Sequence, residues 1–279
     1  AIAEFDKTLS EDRNNALAYH QKGILLSKTG RYEDAIIAFD ESIRIRPGYA
    51  QSFYDKGIAL LKLERFEDAI DVFANALHIN PNYVNAWYYQ GIAFSELHRY
   101  EEAIGAFDHA LEIDPIHTLA LYNRGAALMN IQDYAGAVLA FNALLAVSPQ
   151  YTAAIYEKAV ALLYLSRFRE ASQTFDDALD LNPSLADAWL YKGVALVNLD
   201  ASEDAITAFD KALLLNPGRT EAAVRKGIAL VSLEKFDDAV VVFNHVLEEE
   251  PRNARVWYYK GISLSHTGRH LEAVRSFDK

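Results

Sequence analysis

Apolar residues along this chain recur at helical spacing, and the pattern itself repeats. Residues 101–114, "EEAIGAFDHALEID", place Ala103, Ile104, Ala106, Phe107, Ala110 and Leu111 on one face of a helix. Residues 84–97, "VNAWYYQGIAFSEL", carry apolar residues on a wider arc. Glycine recurs at Gly23, Gly57, Gly91, Gly125, Gly193, Gly227 and Gly261, in steps of 34 or 68, with Ala159 filling the gap. The seven prolines, from Pro47 to Pro251, share this period, and so does Phe from Phe5 to Phe277. A fixed period of this length is the signature of a repeat architecture.

With the glycine set at position 8, full repeats begin at Ala16, Ala50, Val84, Thr118, Thr152, Ala186 and Thr220. Residues 1–15 are a partial repeat, 16–253 hold seven full ones, and 254–279 are a second partial repeat. One uninterrupted solenoid over 1–279 is therefore expected. Each repeat reads as helix A (positions 1–14), a short turn, and helix B (positions 18–31), which Pro at position 32 ends. Gly at position 8 costs about 1 kcal/mol in a helix interior. Its retention implies a bulky neighbour there, Phe at position 24 or Trp at position 4.

Composition changes the picture in three ways. The chain is 51% hydrophobic and lacks Cys, which excludes disulfides, thiolate metal sites and a Cys nucleophile. Its formal net charge is −12, which argues against a nucleic-acid partner. Twelve acidic residues, among them Glu101, Glu102, Asp237 and Asp238, sit at positions 18 and 19, where the helix dipole favours negative charge. Acidity is thus a helix-start device and does not imply a basic partner. No apolar run is long enough to span a membrane and no secretory signal is visible. The chain does not begin with Met, so it is read as a segment of a longer protein, with a cytoplasmic location as the default expectation.

Aromatic or bulky residues at position 4 (Trp87, Trp189, Trp257), Gly at 8, Leu or Phe at 11, Ala at 20, Phe at 24, Ala at 27 and Pro at 32 resemble the tetratricopeptide repeat family over the whole chain. The resemblance implies an all-α solenoid of 34-residue helix-turn-helix repeats forming a right-handed superhelix. It also implies a concave surface, lined by helix A, that binds peptides or partner proteins. Three departures are local. Lys or Arg fills position 7 in seven of eight copies, facing Asp or Asn at position 25, which reads as a recurring ion pair. Repeat six has "DAS" at 200–202, and repeat seven has Ala223 and Val224 where other copies carry aromatics. Packing over 200–225 is expected to differ from the rest.

On a helical wheel, positions 3, 4, 7, 8, 10, 11 and 14 of helix A form the core arc. Position 5, often Tyr, is expected to pack on helix A of the next repeat. Positions 2, 6 and 13 lie furthest from the core, and there the copies disagree. They supply the candidate groove: Lys28, Asp55, Lys62, Asn85, Tyr89, Asn123, Asn130, Glu157, Tyr164, Tyr191, Arg225 and Tyr259. Their charges nearly cancel, so the groove is read as mixed and tyrosine-rich, with a basic end near Lys28 and Lys62. Tyr offers large contact area at low entropy cost. The family's carboxylate clamp needs Lys at position 5 and Asn at position 9. Neither occurs, and Arg225 and Arg255 do not restore it.

No phosphate loop, nucleophile elbow or zinc motif is present. His266 and His270 are spaced like ligands, but the Gly268 turn falls between them. His109 and His245 occupy an outward position of helix B. No cofactor, metal or catalytic residue is expected. The leading expectation is a non-catalytic protein-interaction scaffold without nucleic-acid or membrane partners. The alternative is a regulatory or substrate-presenting arm of a larger enzyme. Apolar residues at the ends (Phe5, Leu9, Val274, Phe277) suggest head-to-tail association of copies.

Overall fold

A computed structural model describes residues 2–279 and contains, among these, seventeen α-helices and no strand. The chain divides into two compact units, the first ending at Val147 and the second running Ser148–Lys279. In the first unit the A helices are α2 (Ala16–Lys28), α4 (Ala50–Lys62), α6 (Val84–Glu96) and α8 (Thr118–Asn130). Its B helices are α1 (Ile2–Glu11), α3 (Tyr32–Ile45), α5 (Phe66–Ile79), α7 (Tyr100–Ile113) and α9 (Tyr134–Val147). In the second unit the A helices are α10 (Thr152–Tyr164), α12 (Ala186–Val197), α14 (Thr220–Ser232) and α16 (Ala254–His266). The B helices are α11 (Phe168–Leu181), α13 (Ser202–Leu215), α15 (Phe236–Glu249) and α17 (His270–Phe277). Within each unit every helix packs on the next in sequence, as in a solenoid. Helix B starts one residue earlier than the sequence pattern suggests, at position 17.

The core is the phenylalanine ladder. Phe39, Phe73, Phe107, Phe141, Phe175, Phe209 and Phe243 are all 0% exposed, each burial contributing roughly 1.5–3 kcal/mol. Each ring but Phe175, whose repeat has Ala159 at position 8, lies against the glycine of its own repeat. A Cβ on Gly91 would stand 2.5 Å from Cε1 of Phe107, and Gly23 and Gly57 meet Phe39 and Phe73 at the same distance. Phe at position 24, not Trp at position 4, is therefore the neighbour that selects glycine. Ala at position 20, such as Ala103 and Ala171, is fully buried at the same crossing.

The A-to-B turn has one geometry throughout. Position 15 takes a positive φ in Glu64, His98, Gln132, Ser166, Asp200 and Glu234, and in Gly30 and Gly268. Around it, Glu64 N–H donates to the Leu61 carbonyl (3.1 Å) and Arg65 N–H to the Leu60 carbonyl (3.0 Å). These two bonds are the Schellman closure of a helix C-terminus. The Arg65-type residue then turns forward: Arg31, Arg65 and Arg167 pair with Asp34, Asp68 and Glu170 at 2.7, 2.5 and 2.6 Å. In these repeats the position 19 acid thus has a cationic partner as well as the helix dipole.

The expected ion pairs at positions 7 and 25 are present. Lys22, Lys56 and Lys226 reach Asp6, Asp40 and Asp210 at 2.6 Å, Arg124 reaches Asp108, and Lys192 reaches Asp176. Half-exposed pairs of this kind contribute about 0–1 kcal/mol each. Repeats without Asp at position 25 differ: Gln90 faces Ala74 and donates to the Ile70 carbonyl at 3.2 Å, and Lys260, whose counterpart is Asn244, stands over the Trp257 ring. At the ends, Val274 and Phe277 stay 57% and 50% exposed. Leu9, expected to be exposed, is buried where α1 packs on α2.

Candidate functional site

Helix A carries two polar-aromatic rows, and in the structure they interlock between repeats. Position 5 meets position 6 of the following repeat. In the first unit the buried His20 ring lies 2.7 Å, Nε2 to Oδ2, from Asp55, which also accepts from Gln51 Nε2 at 3.0 Å. One repeat on, Tyr54 and Tyr89 have ring centroids 6.0 Å apart. In the next, Asn123 Nδ2 donates to Tyr88 Oη at 3.4 Å and to the Leu119 carbonyl at 2.8 Å. Position 5 does pack on the next helix A, as expected, and its ring also sits about 6 Å from the Phe of its own repeat: Tyr54–Phe73 is 6.1 Å and Tyr88–Phe107 is 6.0 Å.

Position 6 is less free than its variability suggests. Tyr89 stacks on Phe73 of the preceding repeat (6.4 Å, 19°), Tyr191 on Phe175 (6.4 Å, 18°) and Tyr259 on Phe243 (6.3 Å, 25°). All three are half-buried, so one face is committed to the fold and only the remaining edge is available to a ligand.

A third row, position 34, was not legible as part of this surface. It is the helix N-cap, and Asn15, His117 and Asn253 do accept from the backbone there. Tyr83 does not cap. Its hydroxyl donates to Gln51 Oε1 at 2.6 Å and its ring lies 4.9 Å from Tyr54. Arg219 pairs with Asp187 at 2.7 Å in the same relation. The available signal was a Tyr or Arg where a helix start ordinarily takes Asn, Ser or Asp. In the first unit the result is a continuous aromatic strip, Tyr83–Tyr54–Tyr89–Tyr88–His117, with neighbouring rings 4.9–6.0 Å apart. Burial raises the Tyr54 and Tyr83 hydroxyls above the ordinary tyrosine range, keeping them protonated donors.

Lys28, Lys62, Asn85 and Asn130 are exposed. Lys28 and Lys62 close the last turns of α2 and α4, where a cation also complements the helix dipole. In the second unit, Tyr164 is 59% exposed. Arg225 pairs with Glu221 on the same helix at 2.5 Å. Where other copies place a tyrosine over the phenylalanine, Arg225 and Arg255 border a hollow of about 140 Å³ lined by Val194, Ile228 and Phe209.

Glu157 is half-buried, and desolvation pushes its carboxyl above the usual carboxylate range. A group whose folded pKa is raised destabilises the fold in its charged form, and the penalty vanishes as pH falls through that raised value. Glu157→Gln is therefore expected to raise the urea midpoint at pH 7, by a margin that closes as pH is lowered toward 4. An equal margin at both pH values would count against the desolvation.

Models of the tetratricopeptide repeat match residues 4–37, 54–116, 90–152, 156–220 and 200–261. The chain belongs to the tetratricopeptide repeat family. Solved structures agree. YrrB, described as a TPR protein with an unusual peptide-binding site, is 24% identical, with a TM-score of 0.61 over 67% of this chain and 97% of its own. MamA from Desulfovibrio magneticus is 25% identical, with a TM-score of 0.58 over 61% and 96%. The C-terminal part of a TPR protein from Cytophaga hutchinsonii is 16% identical, with a TM-score of 0.69 over 79% and 91%. A sequence comparison with curated proteins finds no match. Among the described residues of this TPR chain, no helix is long and apolar enough to cross a membrane.

Proposed function

We propose that this TPR chain is a protein-interaction scaffold and that the A-helix surface of each unit takes a peptide or a partner helix. The observation that carries this reading is the convergence of positions 2, 5, 6 and 34 into one half-buried, hydrogen-bonded aromatic and polar strip. Such a strip presents rigid rings whose ordering cost is already met by the fold, which favours binding. The likeness to YrrB, a protein whose structure is described by its peptide-binding site, supports the same reading. In the first unit the strip is aromatic and suits apolar or aromatic side chains. In the second, Arg225 and Arg255 beside an apolar hollow suit a side chain that ends in a carboxylate.

The test is a peptide-display selection against the protein, followed by binding measurements with groove variants. Asn85→Ala with Lys62→Ala addresses the first unit and Tyr164→Ala with Arg255→Ala the second. All four residues are exposed, so the fold is retained. Selected peptides are expected to lose about 10-fold or more in affinity to one of these pairs. Ile37→Ala, on the exposed face of α3, is expected to change nothing. Peptides that bind both groove pairs like the parent would place the site elsewhere.

A further inference from the structure

Repeat seven lacks the indole that three other repeats share, and the space it would occupy is open. In those repeats the position 4 tryptophan lies in one setting. Trp87, Trp189 and Trp257 donate Nε1–H to the carbonyls of Pro81, Pro183 and Pro251 at 2.9, 3.0 and 2.8 Å. In two of them the lysine at position 7 stands over the ring, with Lys192 Nζ 5.2 Å and Lys260 Nζ 4.6 Å from the indole centroids, while the Trp87 repeat has Gln90 there. At Trp87, His109 supplies a ring face 4.5 Å away.

In repeat seven position 4 is Ala223. Around it Leu213, Pro217, Lys226, Val242 and His245 line a cavity of about 340 Å³, with Val241 at its rim. That volume is within the range of ligand pockets, about 300–1,000 Å³. Each element seen in one or another of the filled sockets is present. Pro217 is the counterpart of Pro81, Pro183 and Pro251. Lys226 is the counterpart of Lys192 and Lys260, and its stem lines the cavity while its ammonium is tied to Asp210. His245 is the counterpart of His109.

We infer that this cavity is a vacant tryptophan socket that binds an indole side chain presented by a partner protein. Its recognition elements are a carbonyl acceptor for the indole N–H, a cation for the ring face, a second ring, and aliphatic walls. The cavity is formed by positions 4, 7, 22, 23, 26, 28 and 32, none of them a groove position. The inference therefore stands apart from the groove reading.

The test uses N-acetyl-tryptophanamide as the probe, titrated into protein carrying 13C-labelled valine methyls. Saturable shifts are expected at Val241 and Val242. The same amide methylated on the indole nitrogen is expected to bind about 3- to 10-fold more weakly, having lost the hydrogen bond to the Pro217 carbonyl. Ala223→Trp fills the socket from within. It is expected to raise Tm and to abolish the shifts. Should that variant fail to fold, Val241→Arg, at a rim residue 68% exposed, supplies the blocked form. Absence of saturable shifts in the parent overturns the inference. So do undiminished shifts in the blocked form, equal binding of the methylated probe, or equal binding of N-acetyl-phenylalaninamide.

Discussion

Phe107→Ala is expected to destabilise the first unit by about 3–5 kcal/mol, the usual cost of truncating a fully buried Phe. The ring is 0% exposed and packs with Tyr88, Ala103, Ala110, Ala120 and Ala127. Four of these five are alanines, too short to reach into the space left behind, so relaxation rests on the partly buried side chains around the cluster, such as Ile104 and Leu111, and recovers only part of the loss. Neighbouring repeats stabilise one another only through their shared faces, so the damage should be local before it is global. Amide hydrogen exchange should speed up first in α6 and α7, and a urea titration should give the magnitude. A loss under about 1.5 kcal/mol, or uniform loss of protection over α1–α9, would contradict this picture of the core.

Gly91→Val is the second large effect, about 3 kcal/mol of destabilisation. Overpacking a filled site costs about 1–3 kcal/mol, and here a bare Cβ already stands 2.5, 2.7 and 2.9 Å from Cε1, Cδ1 and Cζ of Phe107. Valine adds two methyls to a wall that is already closed. The chain contains its own control: Ala159 occupies position 8 against Phe175, and both are fully buried. One methyl can be accommodated by a small shift, so Gly91→Ala should be near neutral, the helix-propensity gain of about 1 kcal/mol offsetting the contact. The discriminating measurement is the double variant. With Phe107→Ala present, the valine methyls enter vacated space, and the pair should be more stable than the sum of the singles by at least about 1 kcal/mol. Additive urea midpoints would mean that glycine is kept here for another reason.

What could be read from residues alone follows from this arithmetic. Phe107, Gly91 and Ala103 are legible because the same constraint recurs in every copy and fixes the same residue. The ion pairs at positions 7 and 25 are legible where position 25 is Asp, and Gln90 agrees by standing opposite Ala74, but Lys158 and Lys260 recur with Asn142 and Asn244 there. The turn was not legible. Glu64, His98, Gln132, Ser166, Asp200 and Glu234 share a left-handed backbone but no side-chain chemistry, and only Gly30 and Gly268 announce it. At the candidate site, a wheel drawn for one helix placed Tyr89 on the free side. It could not show that Phe73, sixteen residues earlier, supplies a ring for it to stack on. It also stopped at position 1, so Tyr83 and Arg219 at position 34 lay outside it.

The identical phenylalanine–glycine contacts carry a cost in specificity. To its glycine, Phe73 and Phe107 are the same ring at the same distance, so the core cannot tell an in-frame pairing of helices from one slipped by a whole repeat. A chain caught in such a frame, or exchanging repeats with a second chain, would satisfy its core and still be misassembled, a characteristic failure of repeat proteins. Only contacts that differ from copy to copy can penalise the slip. His20 with Asp55, Tyr54 with Tyr89, and Tyr88 with Asn123 are such contacts. A forward slip of 34 residues sets the His20 imidazole against Tyr89, and a backward one sets Tyr54 against the Asp55 carboxylate. The surface that is free to vary thereby keeps count of the repeats.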